Sequence, residues 1–464
     1  MVQNQRPPVT PPAAAPFVPG GAGTVPPASV PLSFLALAGA GMWAFGLGAW
    51  FGADRIIESP THPGAVGAVH VGMLAFLTTS VLGAVHQFAP VVGRRALRSV
   101  LAARITLVTM AITAWALPSG FAHGPERLIQ LGAISGSITV LLAAWNLSGA
   151  LASKDGGVPV AGLRLSIIYL VITVAFGAVY AFDRQAGWFP LLPNRVLAHA
   201  HIGLLGWLGL TYVAVAEKLW PMFLLAHRPH EWEGKWAVRL LASGVPFIAV
   251  GLLFEIKALA WIGGIAAIAG LGCHIASLAS AIKHRRRALE LLHGFLFVST
   301  AFLIAGIVLA VAAGLADVDY TTRSRLVSGE VAALAAWLGL AIVGHAHKIV
   351  PFISYTSLRA KGVRTGPSGK PLMFGDLFNL SLAKATLALS AGGFTLSLVG
   401  ILAASTVLLS IGGTAIAVGA MVVTYNLAGG PRRATQAART ASTSPQPTPS
   451  NIPAHLIPKG VPQP

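Results

Sequence analysis

The chain has 464 residues with a mean hydropathy of +0.73, and 55% of the residues are hydrophobic while only 10% are charged. This composition excludes an ordinary soluble domain and indicates an integral membrane protein. A single cysteine, Cys273, excludes both a disulfide framework and a cysteine-rich metal site.

Twelve apolar segments follow one another, and each is long enough to span a bilayer at about 20 residues per crossing. The least distinct boundary, at 254–257, separates the seventh segment from the eighth. Residues 1–30 and 428–464 are polar or rich in Pro and Ala, so they predict disordered tails around a membrane domain over 31–427. The segments cover residues 31–52, 66–92, 99–117, 129–152, 162–182, 196–223, 236–254, 258–282, 293–315, 327–353, 379–402 and 404–427.

The basic residues are concentrated on one side of this predicted membrane domain. With both termini on one side, 23 of the 32 Lys and Arg residues lie there, seven lie on the other side and two lie within segments. Because cytoplasmic loops carry the excess of Lys and Arg, the bias predicts cytoplasmic termini in the cytoplasmic membrane. It also explains the net charge of +18 as an insertion signal. The expected partner is therefore the lipid bilayer, and nucleic acid is not expected.

A similar stretch occurs three times, each ending in a polar residue four positions before a proline. These residues are His86, Glu217 and His347, which are 131 and 130 residues apart (217 − 86 and 347 − 217). They fall in the second, sixth and tenth segments, so they predict three similar four-helix units. All three stretches run from the outer to the inner side, which places the polar residues at one depth near the cytoplasmic face. The predicted units cover about 31–152, 162–282 and 293–427.

Histidines also lie at the outer ends of two of these stretches. His70 and His201 are each sixteen residues before the polar anchor (86 − 70 and 217 − 201), roughly 24 Å along a helix. Ionisable groups within a membrane segment are costly and usually mark function. Neutral imidazole is a ligand for heme iron and for copper. The pair predicts either a bis-His heme site or two histidines that bond only to carbonyls, and His199, on the opposite face from His201, predicts a neighbouring second site.

The inner ends of the repeated stretches hold a second layer of polar residues. His345 and His347 form another His-x-His pair, and His86 and Glu217 lie at the same predicted depth. A proline four residues later removes the backbone N–H that would bond to the carbonyl of His86, Glu217 or His347. The layer predicts either polar side chains that satisfy released carbonyls, or a metal or proton-entry site where these side chains converge.

The stretch from His199 to Trp207, His-Ala-His-Ile-Gly-Leu-Leu-Gly-Trp, resembles the His-x-His-x-Gly-x-Leu-Gly-Trp stretch in subunit I of C-family (cbb-type) heme-copper oxidases. The resemblance implies twelve helices in three four-helix arcs and makes His70 a low-spin heme ligand. Two features depart from that family. The stretch lies in the sixth segment instead of the tenth, and the seventh segment lacks the adjacent His-His pair of the copper site. The NnrS family of heme- and copper-containing membrane proteins is a further similar group.

These observations predict an all-α polytopic, oxidase-subunit-I-like membrane protein that binds heme of the b type, with copper as a second candidate cofactor. The expected function is electron transfer, or binding or reduction of a diatomic gas such as O2 or NO, with a protein or a quinol as electron donor. The implied enzyme class is an oxidoreductase without the usual His-His copper motif. One alternative is a heme-free transporter or copper-handling protein that uses the His and Glu layers. Another is a structural subunit that keeps only the fold.

Overall fold

The structure is a computed structural model that describes residues 24–227, 231–366 and 369–443. Within these residues, twelve helices are long and apolar enough to cross a membrane, and no strand is formed. The predicted all-α polytopic membrane fold is therefore confirmed. The twelve helices are α1 (Ser29–Phe51), α2 (Pro63–Gly93), α3 (Val100–Ala122), α4 (Glu126–Ala150), α5 (Gly157–Ala186), α6 (Pro193–Leu224), α7 (Trp232–Leu253), α8 (Lys257–Lys283), α9 (Leu291–Leu315), α10 (Tyr320–Ala360), α11 (Leu380–Leu402) and α12 (Thr406–Gln436).

Each predicted segment corresponds to one helix, and the differences lie at the ends. The chain turns between α7 and α8 at Glu255, which has a left-handed backbone conformation (φ 57°), so the least distinct boundary is confirmed. α10 begins at Tyr320 instead of 327 because Asp319 caps it, accepting a hydrogen bond of 2.9 Å from the backbone N–H of Thr322. Hydrogen bonds from that N–H and from the Thr322 hydroxyl hold the pKa of Asp319 below its usual value.

The last helix, whose membrane-spanning part is Thr406–Gln436, continues beyond the predicted boundary at 427 and is helical as far as Thr443, the last described residue. The disordered tail expected from 428 is therefore replaced by helix over 428–443. These added turns are rich in Ala, Arg and Gln, which favour helix, and Ala434 is buried in a cluster with Leu358 and Leu377. Residues 1–23 and 444–464, which hold the rest of the two expected tails, lie outside the described residues.

The core lies between α2, α6 and α10, which are the most buried of the twelve helices. One contact occurs three times around it, in which an aromatic ring of one helix meets a small residue of the next. The pairs are Phe76 with Gly339, Trp337 with Gly209, and Trp207 with Thr78. A Cβ added to Gly339 or Gly209 would lie 3.1 or 3.3 Å from the facing ring, so side chains at these positions would force the helices apart.

The outer ring of helices is built from neighbours in sequence, with α3 on α4, α7 on α8, α9 on α10 and α11 on α12, and α1 packs against α12. Some contacts recur along the chain. Phe34 stacks on His86 with 5.4 Å between ring centroids, and Phe295 stacks on His347 at 5.3 Å. Both pairs are 52 residues apart (86 − 34 and 347 − 295). The grouping into three four-helix units stays a prediction, and these matched contacts are consistent with it.

Candidate functional site

The geometry of α2 and α6 changes directly after the predicted outer histidines. α2 is α-helical up to His70 and π-helical over Val71–Thr78. α6 is α-helical up to His201 and π-helical over Ile202–Gly209. The matching part of α10 is regular α-helix. π-helical segments are rare and are frequently found at functional sites, so the backbone points to the N-terminal halves of α2 and α6.

His70 is oriented by its own helix. Its Nδ1 lies 2.8 Å from the carbonyl oxygen of Val66. Because a carbonyl can only accept, Nδ1–H is the donor and Nε2 keeps its lone pair. Phe121 of α3 stacks on the imidazole with 5.5 Å between centroids. Metal-ligating histidines usually donate their other ring N–H to a carbonyl or carboxylate in this manner.

His199 packs against α5 and lies near His70. Its ring bonds to the backbone carbonyl of Thr173 and is close enough to His70 for an electrostatic interaction. The Nδ1 atom is buried without a hydrogen-bond partner among the described residues. Tyr180 meets the imidazole edge-on at 6.0 Å between centroids, and a Cβ added to Gly177 would lie 3.2 Å from its Cε1 atom. The structure thus brings His70 and His199 to one region bounded by α2, α5 and α6.

His201 faces a different neighbour, as the turn of about 200° between positions two apart on a helix requires. Its Nδ1 donates to the Leu197 carbonyl at 2.9 Å, and its Nε2 lies 3.2 Å from Oε1 of Glu330 on α10. The two side chains are only 13% and 7% exposed. Both ring nitrogens are therefore engaged. No hydrogen bond or ring contact joins His201 to His70 in the described part of the chain, so the two residues predicted as a pair have separate partners.

The glycines that follow the outer histidines serve helix packing. A Cβ added to Gly72 would lie 2.7 Å from the ring of Phe45, and one added to Gly206 would lie 2.7 Å from the ring of Tyr169. Space for a flat cofactor is therefore not provided beside these two residues. The N-terminal parts of α2 and α6 pack mainly against different helices, α3 and α7 respectively. His70 and His199 are both partly exposed there, and Nδ1 of His199 is buried without a partner among the described residues, so these two imidazoles are the donors available to a heme iron.

The inner histidines at the predicted anchor positions point into their own groups of helices. Nδ1 of His86 and of His347 donates to the carbonyl four residues earlier, at 2.7 and 2.8 Å. Each imidazole also stacks on the phenylalanine of the preceding helix, Phe34 or Phe295. Their Nε2 atoms are buried without partners among the described residues. Neither imidazole bonds to the carbonyl that the following proline leaves without its helical partner. These two histidines therefore do not satisfy released carbonyls, which was the first interpretation of this layer.

The third anchor, Glu217, is directed toward α7 and α8. Its Oε1 accepts a hydrogen bond of 2.7 Å from the Ser277 hydroxyl, and its carboxylate covers Gly234. Across the residues that the structure describes, no three or more His, Cys, Asp or Glu side chains are grouped to hold a metal ion. The predicted convergence of His86, Glu217 and His347 is therefore not formed, because each side chain is directed to different helices.

A buried polar cluster lies between α6, α8 and α10, and sequence reasoning identified it only in part. Tyr212 meets His274 at 5.4 Å and His345 at 6.2 Å between ring centroids. Both nitrogens of His274 and Nε2 of His345 are buried without partners among the described residues, and the Tyr212 hydroxyl, close to the indole N–H of Trp220, has no acceptor for its own proton there. The positions matching Tyr212 in the other repeats are Val81 and Ile342. The repeat pattern therefore gave no signal for Tyr212.

Tyr212→Phe should raise the stability of the protein, because it removes a buried hydroxyl whose proton has no acceptor among the described residues. Such a group costs about 1–3 kcal/mol, and the ring contacts with His274 and His345 are kept. Thermal unfolding in detergent measures the change. The matched control is Tyr169→Phe, which should be destabilising because the Tyr169 hydroxyl donates to the Ala242 carbonyl. If both variants lose stability equally, the Tyr212 hydroxyl is bound by water or by a ligand.

Comparison with models of known protein families finds no match for this chain, and comparison with curated proteins finds none either. Two separate groups, His70 with His199 and His201 with Glu330, are therefore the candidate site.

Proposed function

We propose that this protein is a membrane heme protein, similar to heme-copper oxidase subunit I, that transfers electrons and binds or reduces a diatomic gas such as O2 or NO. The observation that carries the proposal is the approach of two imidazoles from separate membrane helices. His70 and His199 interact electrostatically, and each has one ring nitrogen bonded to a backbone carbonyl. Two neutral imidazoles in this relation suit the two axial positions of a low-spin heme iron.

The surrounding residues define what the chain contributes to such a site. A bound b-type heme would supply a redox-active iron that exchanges one electron. The Val66 carbonyl holds His70 in the tautomer that leaves Nε2 free, and the Thr173 carbonyl orients His199. Phe121 stacks on His70 and Tyr180 meets His199 edge-on, which restricts the orientations of the two imidazole rings. These features support electron transfer with a protein or quinol donor.

Electron transfer is the more strongly supported part of this activity. Copper in such a protein would need several imidazole ligands close together. The described residues hold no group of three or more His, Cys, Asp or Glu side chains arranged for a metal ion, and α7 contains no histidine. Reduction of a gas at a heme–copper pair therefore has less support than binding of the gas, or passage of an electron, at heme alone.

A visible spectrum of the purified protein tests the proposal. The protein is produced in a heme-sufficient host, extracted in detergent, and examined before and after reduction with dithionite. We expect a Soret band and the narrow α band of a six-coordinate b-type heme in the reduced form, with about one heme per chain by pyridine hemochrome assay. A preparation that is folded, monodisperse and free of heme absorbance would contradict the proposal.

A second candidate function is supported by the buried pair of His201 and Glu330. An imidazole and a carboxylate that share a hydrogen bond between two membrane helices can exchange a proton, as in many pumps and transporters. This favours a heme-free transporter or copper-handling protein in which α6 and α10 move relative to each other. If the protein lacks heme, proton flux in proteoliposomes that depends on Glu330 would support this function.

We also propose that the protein lies in the cytoplasmic membrane with both termini in the cytoplasm, as the distribution of Lys and Arg predicts. A fluorescent protein fused to either terminus should fluoresce, because such fusions mature on the cytoplasmic side. Alkaline phosphatase inserted in the loop at 187–192, between α5 and α6, should be active only if that loop is external. An active phosphatase fusion at the C-terminus would contradict the orientation.

A further inference from the structure

A cavity of about 250 Å³ opens between the inner ends of α1 and α3. Two serines from the first turns of α1, Ser29 and Ser33, and Arg104 from α3 provide its polar lining. Phe34 and Leu107 provide apolar lining. The cavity is far from His70 and His199, because it lies at the other end of the bundle from the outer halves of α2 and α6. It therefore does not belong to the proposed heme site.

The polar groups of this cavity have no partner in the described residues. Arg104 is exposed and forms no ion pair, hydrogen bond or aromatic contact there, although it lies within a membrane-spanning helix. The hydroxyls of Ser29 and Ser33 likewise make no hydrogen bond within the described part of the chain. A guanidinium near the bilayer interface is stable when it reaches the headgroup layer or an anion. The cavity thus presents an uncompensated positive charge beside two free hydroxyls.

The start of α1 adds to the positive potential. α1 has 23 residues, has no acidic residue in its first turn, and has no side-chain cap. The positive end of its dipole therefore remains uncompensated where Ser29 lines the cavity. The segment before α1 cannot neutralise Arg104 either, because residues 1–28 contain no Asp or Glu. The complementary ligand must be an anion from outside the chain.

We propose that this cavity binds the phosphate of an anionic phospholipid in the inner leaflet. Arg104 would donate a charge-assisted fork of hydrogen bonds to the phosphate oxygens, and the two serine hydroxyls would donate the remaining bonds. The lipid source is favoured over a free anion because Phe34 and Leu107 place apolar surface directly beside the polar groups. Anionic lipids are concentrated at this leaflet, where basic groups already attract them.

Native mass spectrometry of the whole protein tests this site with two lipids, phosphatidylglycerol and phosphatidylcholine. We expect phosphatidylglycerol to bind more tightly to the wild type, and Arg104→Gln to weaken that binding about tenfold, as loss of one charge-assisted contact implies. Ser33→Ala should cause a smaller loss in the same direction. The matched control is Arg98→Gln, because Arg98 already donates to Ser148 and lies over Trp145, so its binding should equal that of the wild type.

Three results would overturn the proposal. The first is equal binding of the two lipids by the wild type, and the second is an unchanged affinity in both Arg104→Gln and Ser33→Ala. The third is displacement of the bound lipid by millimolar inorganic phosphate alone, which would identify a free-anion site. Arg104 and Ser33 are exposed residues on different helices. If both variants bind phosphatidylglycerol more weakly while each remains folded, the weaker binding reflects loss of the site and not loss of the fold.

Discussion

His70→Ala should abolish the low-spin heme spectrum of the purified protein. Removing one axial imidazole leaves five-coordinate iron or no bound heme, so the narrow reduced α band should disappear while the chain still folds. His199→Ala should give the same result, because His199 is the proposed second ligand and lies near His70. The control is His86→Ala on the same helix, sixteen residues away, roughly 24 Å for a regular helix. That variant should keep the wild-type spectrum.

His201→Ala distinguishes the structural assignment from the one made on sequence alone. The repeat made His201 the counterpart of His70, whereas the structure engages both of its ring nitrogens with Leu197 and Glu330. We therefore expect His201→Ala to retain a six-coordinate spectrum. If His201→Ala loses the spectrum and His199→Ala keeps it, the sequence-based pair is right and the pair of His70 and His199 is wrong. If His70→Ala has no effect, neither pair binds heme.

The twelve helices could be predicted because membrane segments follow directly from the length of apolar sequence. The ends were harder to predict because they depend on local contacts, such as the cap at Asp319 and the burial of Ala434. The faces of His199 and His201 followed from helical rotation. The partner that each face meets depends on how helices pack, and the repeat suggested His70 for His201 when its partner is Glu330.

The three residues at the anchor positions show more clearly that sequence does not predict which side chains meet. His86, Glu217 and His347 share a position in the repeat, and this suggested that they converge. The structure holds the three side chains by different contacts. The two histidines stack on phenylalanines, and Glu217 accepts a hydrogen bond from Ser277. Equal depth along three helices does not fix the direction of a side chain around each helix. Sequence therefore indicated where polar groups lie but not which ones meet.

Glu330→Leu should lower the stability of the protein by about 1–3 kcal/mol, the usual cost of leaving a buried polar group without its hydrogen-bond partner. The carboxylate lies 3.2 Å from Nε2 of His201, and the two side chains are 7% and 13% exposed. The variant leaves Nε2 of His201 buried without that partner, so thermal unfolding in detergent should occur at a lower temperature. The control is Glu126→Gln, whose salt bridge with Arg184 is about one third exposed and should contribute less than about 1 kcal/mol.

A double-mutant cycle separates the pair from its surroundings. His201→Leu combined with Glu330→Leu removes both polar groups, and apolar replacement of a buried pair is often neutral or stabilising. We expect the double variant to recover most of the stability that either single variant loses, because the main cost is the group left without its partner. Additive losses would show that the two residues do not interact. If the double variant is stable and keeps the heme spectrum, His201 acts in helix packing or proton exchange and not as an iron ligand.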